Sequence, residues 1–168
     1  CVRKAGMPSW HNSPTMSSPP PSPANERPQP LARSAYKAFQ TISTRWSDND
    51  VYGHVNNVVY YAWFDTAVNA YLIEHGALDM QHGNTIGLVV QTHCDYFSPL
   101  SFPQPVHAGL RVGHVGASSV RYEVGIFAAD SDLCAAHGHF VHVYVDRATR
   151  RPTALPEILK TILATLKP

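Results

Sequence analysis

A dense cluster of polar residues lies directly before the most apolar stretch of the chain. It comprises Asp48, Asp50, Gly53, His54, Asn56 and Asn57. If a helix begins here, its first N–H groups lack intrahelical partners and carry roughly half a positive charge, so they can polarise a carbonyl and stabilise an oxyanion. Asp50 would then supply a general base or nucleophile, and the backbone amide at about Asn57 would supply the electrophilic pull. The alternative is that Asp50, Asn56 or Asn57 only caps the helix.

The stretch that follows, residues 57–75, predicts a long buried helix. Its residues are apolar on almost every side, with interruptions at Asp65, Thr66 and Asn69. At about 1.5 Å per residue the helix would be roughly 28 Å long, but the polar interruptions argue against a membrane span. A helix with apolar residues on most sides must be covered by the rest of the protein. Gly76 stands where a left-handed helix cap is expected.

Period-two alternation predicts strands on both sides of this helix. The expected strands are 36–45, 88–97, 106–114, 120–126 and 133–145. The turn signals between the last four are spaced for an antiparallel meander rather than for βαβ crossovers. A short final helix is expected at about 156–166. The predicted class is α+β, with a long central helix wrapped by a curved antiparallel five-stranded sheet, the arrangement called a hotdog fold.

The run from Asp48 to Tyr60 closely resembles the D-x-D-x-x-G-H-V-N-N-x-x-Y signature of the 4-hydroxybenzoyl-CoA thioesterase family, which are hotdog-fold acyl-CoA thioesterases. The resemblance covers residues 36–168 in element order. It implies hydrolysis of an acyl-CoA thioester to a free acid and coenzyme A, with no metal and no cofactor apart from the coenzyme A of the substrate. It also implies active sites at the interface of a homodimer that often pairs into a homotetramer.

The resemblance also assigns roles to individual residues. The catalytic carboxylate of the family falls on Asp50, the polarising amide falls at about Asn57, and His54 lies in the same turn as a further catalytic candidate. The substrate-binding residues that it implies are Gly53, Asn56, Tyr60, Ser118 and Ser119. The two serines stand in the loop entering the penultimate strand, where a serine often contacts the coenzyme A end of the substrate.

Asp65 is a second candidate for the catalytic carboxylate. Another branch of hotdog thioesterases keeps its catalytic acid on the long helix, where Asp65 lies. The spacing favours a different role, because Asp65 and Asn69 stand one turn apart and would form a narrow polar stripe.

Several histidines in the predicted strands are candidate ligands. His137, His139 and His142 suggest a metal cluster, but on a strand the first two face one side and the third faces the other, so no metal site is expected. His93 and Asp95 share a strand face and could pair, although a solvated face is the simpler account.

The composition limits the remaining possibilities. A chain of 168 residues with 44% hydrophobic and 15% charged residues predicts one globular domain. A formal net charge of +1 with scattered basic residues predicts no nucleic-acid surface. The cysteines, Cys1, Cys94 and Cys134, are widely separated and lack C-x-x-C spacing, so a cytoplasmic location is expected.

Residues 1–34 differ in kind from the rest of the chain. They hold eight of the fourteen prolines, six serines and a single acidic residue, Glu26. Such a composition favours polyproline II or disorder, so we expect a flexible N-terminal segment at 1–34 and a hotdog thioesterase domain at 35–168. The segment has no apolar run of signal-peptide length, so secretion is not expected.

Two functions other than hydrolysis remain open at this point. A hotdog dehydratase or hydratase would act on the β-carbon of an acyl thioester, and a non-catalytic domain would bind acyl-CoA without cleaving it. The aspartate motif at the helix start favours hydrolysis. The acyl group is not identified, because Tyr52, Tyr60, Trp63 and Phe64 fit either an acyl pocket or core packing.

Overall fold

The computed structural model describes residues 27–168. Most of the predicted flexible segment, residues 1–26, therefore lies outside the described residues. The elements are β1 (Ala38–Ile42), α1 (Asn57–Glu74), β2 (Thr85–Tyr96), β3 (Val106–Val115), β4 (Ser119–Ala128), β5 (Ala136–Asp146) and α2 (Glu157–Thr165). The predicted number, type and order of elements are confirmed, although β1 is shorter than the expected strand 36–45.

The five strands form one antiparallel sheet in the order β1-β3-β4-β5-β2. This confirms the predicted hotdog architecture. The predicted meander holds for β3, β4 and β5, but it is wrong for β2, which pairs with β5 and not with β3. The reason is that the chain crosses the start of α1 after β2: Leu100 is buried there, and its carbonyl accepts a hydrogen bond from the N–H of Val55 at 2.8 Å.

The core lies between α1 and one face of the sheet. On β4 the predicted alternation is confirmed, since Val120, Tyr122, Val124 and Ile126 are fully buried while Arg121 and Glu123 on the other face are not. Phe64 and Val68 of α1 pack into the same core, and Leu159 and Leu163 of α2 close one end of it. Within the part of the chain that the structure describes, no helix is long and apolar enough to cross a membrane.

The rest of the chain covers most of α1, as predicted, but not all of it. One side of the helix, called the α1 stripe below, is exposed or only half-buried. It consists of Val58, Ala62, Asp65, Thr66, Asn69 and Ile73, and Val58 is 63% exposed. The middle of the outer strand β2, residues 88–93, is likewise exposed and is called the β2 edge. Two surfaces that carry exposed apolar side chains are therefore left without cover from the chain itself.

Residues 31–36 pack on the outer face of the sheet, although residues 31–34 belong to the segment expected to be flexible. The N–H of Cys134 donates to the carbonyl of Leu31 at 2.9 Å, and the N–H of Arg33 donates to the carbonyl of Asp132 at 2.9 Å. Tyr36 is buried, and its hydroxyl bonds to Nδ1 of His137 at 2.7 Å. Backbone hydrogen bonds and the apolar contacts of Leu31, Ala35 and Tyr36 hold this short stretch on the sheet.

We expect Arg33→Ala to lower the free energy of unfolding by about 1–3 kcal/mol. The guanidinium donates to the carbonyls of Ser131 at 2.7 Å and Ala128 at 2.9 Å, and it lies 4.8 Å from the centre of the Phe127 ring. Urea unfolding followed by circular dichroism measures the change. Lys37→Ala is the control, because Lys37 is exposed. Equal unfolding midpoints for the two variants would show that Arg33 does not hold this segment.

Candidate active site

Asp48 anchors the loop that precedes α1. It closes a 3₁₀ turn, Trp46–Asp48, and is 1% exposed. Its carboxylate accepts a hydrogen bond from the backbone N–H of Arg45 at 2.7 Å and pairs with the Arg45 guanidinium at 2.8 Å. Its carbonyl accepts from the N–H of Asn56 at 2.8 Å. Asp48 therefore fixes both ends of the loop 49–55.

Within this loop the chain folds back on itself. Asn49 and Val55 form an antiparallel bridge, and the N–H of Asp50 donates to the carbonyl of His54 at 2.8 Å. Gly53 has φ 79°, in the left-handed region that favours glycine, and its N–H donates to the carbonyl of Asp50 at 3.1 Å. The side chain of Asn49 accepts from the N–H of Phe102 at 3.1 Å, which ties the loop to the segment after β2.

The carboxylate of Asp50 is held by one oxygen only. Its Oδ1 accepts from the N–H groups of Tyr52 at 2.8 Å and His54 at 3.4 Å. No residue in 27–168 donates to its Oδ2. The half-buried side chain lines an open depression together with Trp46, Asn49, Val51 and Gly53. The second oxygen is thus available to a reactant.

The start of α1 leaves one backbone amide unused. Asn56 is the N-cap residue, and its Oδ1 accepts from the N–H of Val58 at 3.1 Å. Asp50 does not cap the helix, so the capping alternative applies to Asn56 alone. Asn57 is the first residue of α1, and no described residue accepts a hydrogen bond from its N–H. This amide carries the positive end of the helix dipole and is free to bind a carbonyl oxygen.

The other residues assigned to this region differ in exposure. His54 is exposed on the loop, and Gly53 serves the backbone turn described above. Tyr60 is 3% exposed and packs against the rings of Trp63 and Tyr96. Burial raises the pKa of Tyr60 to about 12, so the phenol stays neutral. Its position favours support of α1 from within the core over contact with substrate.

One chain does not bring Ser118 and Ser119 to Asp50. The two serines lie where β3 turns into β4, while the Asp50 loop lies beside the residues that precede β3. A strand of 10 residues such as β3 spans roughly 30 Å, which separates the two groups. The serines could approach Asp50 only from another subunit.

The remaining candidates lie away from the loop. Asn69 donates to Oδ1 of Asp65 at 2.9 Å, which confirms the predicted polar stripe. His93 Nε2 and Asp95 Oδ2 form a pair at 3.0 Å on β2. On β5 the predicted alternation is confirmed: His139 contacts Arg121 on the outer face, whereas His142 lies on the inner face beside Tyr122.

Asp48 and Trp46 have structural positions that the sequence does not predict. Asp48 belongs to the D-x-D motif, but the motif does not show that its side chain is buried. Trp46 is 81% exposed beside the depression at Asp50, with its ring 5.9 Å from that of Phe102. That exposure follows from the loop path, for which the sequence offers no signal.

We expect Asp48→Asn to lower the free energy of unfolding by about 1–3 kcal/mol, because a buried carboxylate loses its charge-assisted bonds to Arg45. Thermal and urea unfolding of the variant measure the loss. Asp130→Asn, an exposed change in the turn after β4, is the control and should have little effect. A variant as stable as the parent chain would contradict the anchoring role of Asp48.

A protein-family model described as the thioesterase-like superfamily matches residues 44–163, which include the Asp50 loop and α1. The chain belongs to this superfamily. Membership supports hydrolase activity on a thioester, which is the broader part of the predicted function. The narrower resemblance to the 4-hydroxybenzoyl-CoA thioesterase family stays a prediction.

Solved structures of other proteins show the same fold. The PA5185 protein from Pseudomonas aeruginosa strain PAO1 is 55% identical, with a TM-score of 0.81, and the match covers 83% of this chain and 97% of that one. Slr0204, a 1,4-dihydroxy-2-naphthoyl-CoA thioesterase from Synechocystis, is 19% identical, with a TM-score of 0.68 and coverage of 75% and 94%. At 19% identity, this similarity shows a shared fold only.

A curated relative matches over a shorter stretch. The YsmA protein of Bacillus subtilis is 24% identical over 88 residues, which are 52% of this chain and 59% of the relative. The match therefore spans less than two thirds of that relative.

Proposed function

We propose that this protein hydrolyses acyl-CoA thioesters to a free acid and coenzyme A. One observation carries the proposal: a carboxylate with an unbonded oxygen, Asp50, precedes a helix start whose first N–H, at Asn57, has no described acceptor. These are the two groups that thioester hydrolysis needs, one to attack or activate water and one to stabilise the oxyanion. Membership in the thioesterase-like superfamily supports this chemistry.

The reaction follows from the positions of these groups. The thioester carbonyl oxygen accepts from the N–H of Asn57, which draws electron density from the carbonyl carbon. Asp50 then either removes a proton from a water that attacks this carbon, or attacks the carbon directly. On either route the C–S bond breaks, and the thiolate of coenzyme A leaves and takes up a proton. The first route releases the acid at this point, whereas on the second route water then hydrolyses the anhydride between Asp50 and the acyl group to release it. His54 and Asn56 border the same turn.

Asp65 suits this role less well than Asp50. It lies eight residues into α1, roughly 12 Å along the helix from the N–H of Asn57. Its Oδ1 already accepts from Asn69 at 2.9 Å. We therefore assign the catalytic carboxylate to Asp50.

We also propose that the protein acts as a homodimer joined through its β2 edges, or as a homotetramer of two such dimers. The β2 edge and the α1 stripe expose apolar side chains, among them Val90, which is 60% exposed. An unpaired outer strand of this kind is normally covered, charged or paired. Pairing with a second copy would cover both surfaces in one contact, and it offers a route for Ser118 and Ser119 to reach a site on another chain.

The proposed reaction uses water and the residues above, without a metal, a cofactor or nucleic acid. Its compartment in this proposal is the cytoplasm. Cys94 and Cys134 support that assignment, because both are free thiols, and burial raises their pKa and so keeps them in the unreactive protonated form.

A panel of acyl-CoA substrates tests the function. Purified protein is mixed with aryl, straight-chain and branched acyl-CoAs, and the release of free thiol is followed by a colorimetric thiol reagent. We expect turnover of at least one class. Tight binding without thiol release, measured by calorimetry, would support a non-catalytic acyl-CoA-binding domain, and a hydrated or dehydrated product would support a hydratase.

A further inference from the structure

A cavity of about 100 Å³ lies between α1, β2, β5 and the start of α2. The cavity lies at the first residues of β2, whereas the Asp50 loop lies near the last residue of the same strand. Its wall is aliphatic apart from four residues with polar groups, Asn69, Thr85, His142 and Tyr144. The cavity has room for a small group of a few heavy atoms or for several waters.

The imidazole of His142 is the unusual feature of this cavity. The residue is 3% exposed, and neither ring nitrogen has a hydrogen-bond partner among the described residues. Protein atoms enclose Nε2, whereas Nδ1 lies beside Gly87, which lines the cavity. Burial lowers the pKa of His142, so the ring is neutral near pH 7 and offers one donor and one acceptor nitrogen. Buried polar groups are normally bonded, and an exception calls for an explanation such as a ligand.

We propose that this cavity binds a hydroxyl group carried by the acyl chain of the substrate, and that His142 determines this specificity. The inference rests on the proposed thioesterase function. A hydroxyl group both donates and accepts, as the neutral imidazole does, and the aliphatic wall suits the hydrocarbon chain that carries it. A terminal carboxylate fits poorly, because a buried imidazole that stays neutral offers no positive charge to pair with it.

In the proposed dimer, the cavity of one subunit binds the end of the acyl chain whose thioester lies at the Asp50 loop of the partner subunit. The hydroxyl of Tyr96 donates to the carbonyl of Asn57 at 3.2 Å, so the start of α1 lies at the last residue of β2. The cavity lies at the first residues of β2, where Thr85 and Gly87 line it. Two β2 edges that pair antiparallel about their exposed middle bring the last residue of one strand beside the first residue of the other. The cavity of one subunit then faces the thioester site of the other.

Substrate pairs test the hydroxyl specificity. Each pair consists of a straight-chain acyl-CoA and its terminally hydroxylated analogue, over a series of chain lengths. We expect the protein to prefer the hydroxylated member by about tenfold or more in kcat/KM, at the acyl-chain length that places the hydroxyl group in the cavity. His142→Leu should abolish this preference by lowering kcat/KM for the hydroxylated member only, whereas His142→Gln, which keeps a donor and an acceptor, should retain part of it.

The control for these variants is His139→Leu. His139 is also a buried histidine of β5 with an unpartnered Nε2, but it lies on the outer face of the sheet. This variant should keep the preference. Equal kcat/KM for both members at every length would overturn the cavity proposal and leave the thioesterase function standing. Absence of hydrolysis for every acyl-CoA would overturn both.

A mixed dimer tests which subunit the cavity serves. One subunit carries Asp50→Asn and the other His142→Leu, each with its own affinity tag, and the mixed dimer is purified through both tags. If the cavity serves the partner's loop, one of the two sites holds both intact residues, and the hydroxylated substrate turns over at about half the parent rate. If the cavity serves its own chain, the one site with an intact Asp50 carries His142→Leu, so the mixed dimer hydrolyses the hydroxylated substrate no better than its unhydroxylated analogue, and the assignment across subunits is overturned.

Discussion

Asp50→Asn is expected to lower kcat on the best acyl-CoA by about a hundredfold or more, because a positioned base or nucleophile acts on the transition state. The fold should persist. The Oδ1 atom that accepts from Tyr52 and His54 remains in asparagine, so the loop keeps its hydrogen bonds and only the charge and the unbonded oxygen change. Steady-state thiol release and thermal unfolding, measured on the same preparation, separate the two effects.

Asp65→Asn is the matched control on α1. Its side chain bonds to Asn69 on the α1 stripe, and it should retain far more activity than the Asp50 variant. The opposite ranking would move the catalytic carboxylate to the helix. A near-normal rate for Asp50→Asn, with intact fold, would reduce Asp50 to a structural residue of the loop.

The part of the fold that could be read from the sequence is the part set by local periodicity. The apolar run 57–75 and the glycine at 76 predicted α1 to within one residue at its C-terminal end, because cap and periodicity are properties of adjacent residues. Alternation showed which face each residue of β4 takes. It carries no information on strand neighbours, which is why β2 was placed beside β3 and not beside β5.

The candidate site likewise has a part that the sequence predicts and a part that only the packing of helices and strands determines. Asp50 lies in the loop before α1, and Asn57, seven residues later, is the first residue of that helix. The sequence motif alone therefore predicts that the two residues belong to one site. The burial of Tyr60 and the distance of Ser118 from the loop depend on how the helix and strands pack, and spacing along the chain does not encode either. The cavity at His142 takes its walls from four elements, α1, β2, β5 and α2, and no single stretch of sequence predicts it.

Val90→Glu is expected to turn the protein into a monomer and to reduce its specific activity to about a tenth or less. Val90 lies in the exposed middle of the outer strand β2, so the new carboxylate is well solvated in a single chain and should leave the fold intact. In a two-fold contact through this strand, two carboxylates would be desolvated near the same axis, which disfavours the pairing strongly. Light scattering at assay concentration and thiol release from the same sample measure the two effects together.

The control places the same charge on the other outer strand. Thr41 lies on β1, at the opposite edge of the sheet, and Thr41→Glu should leave both mass and activity unchanged. If Val90→Glu remained a dimer of full activity, β2 would not be the interface. A site shared between two subunits must lose its activity when the dimer dissociates. If Val90→Glu became a monomer of full specific activity, each chain would therefore hold a complete site.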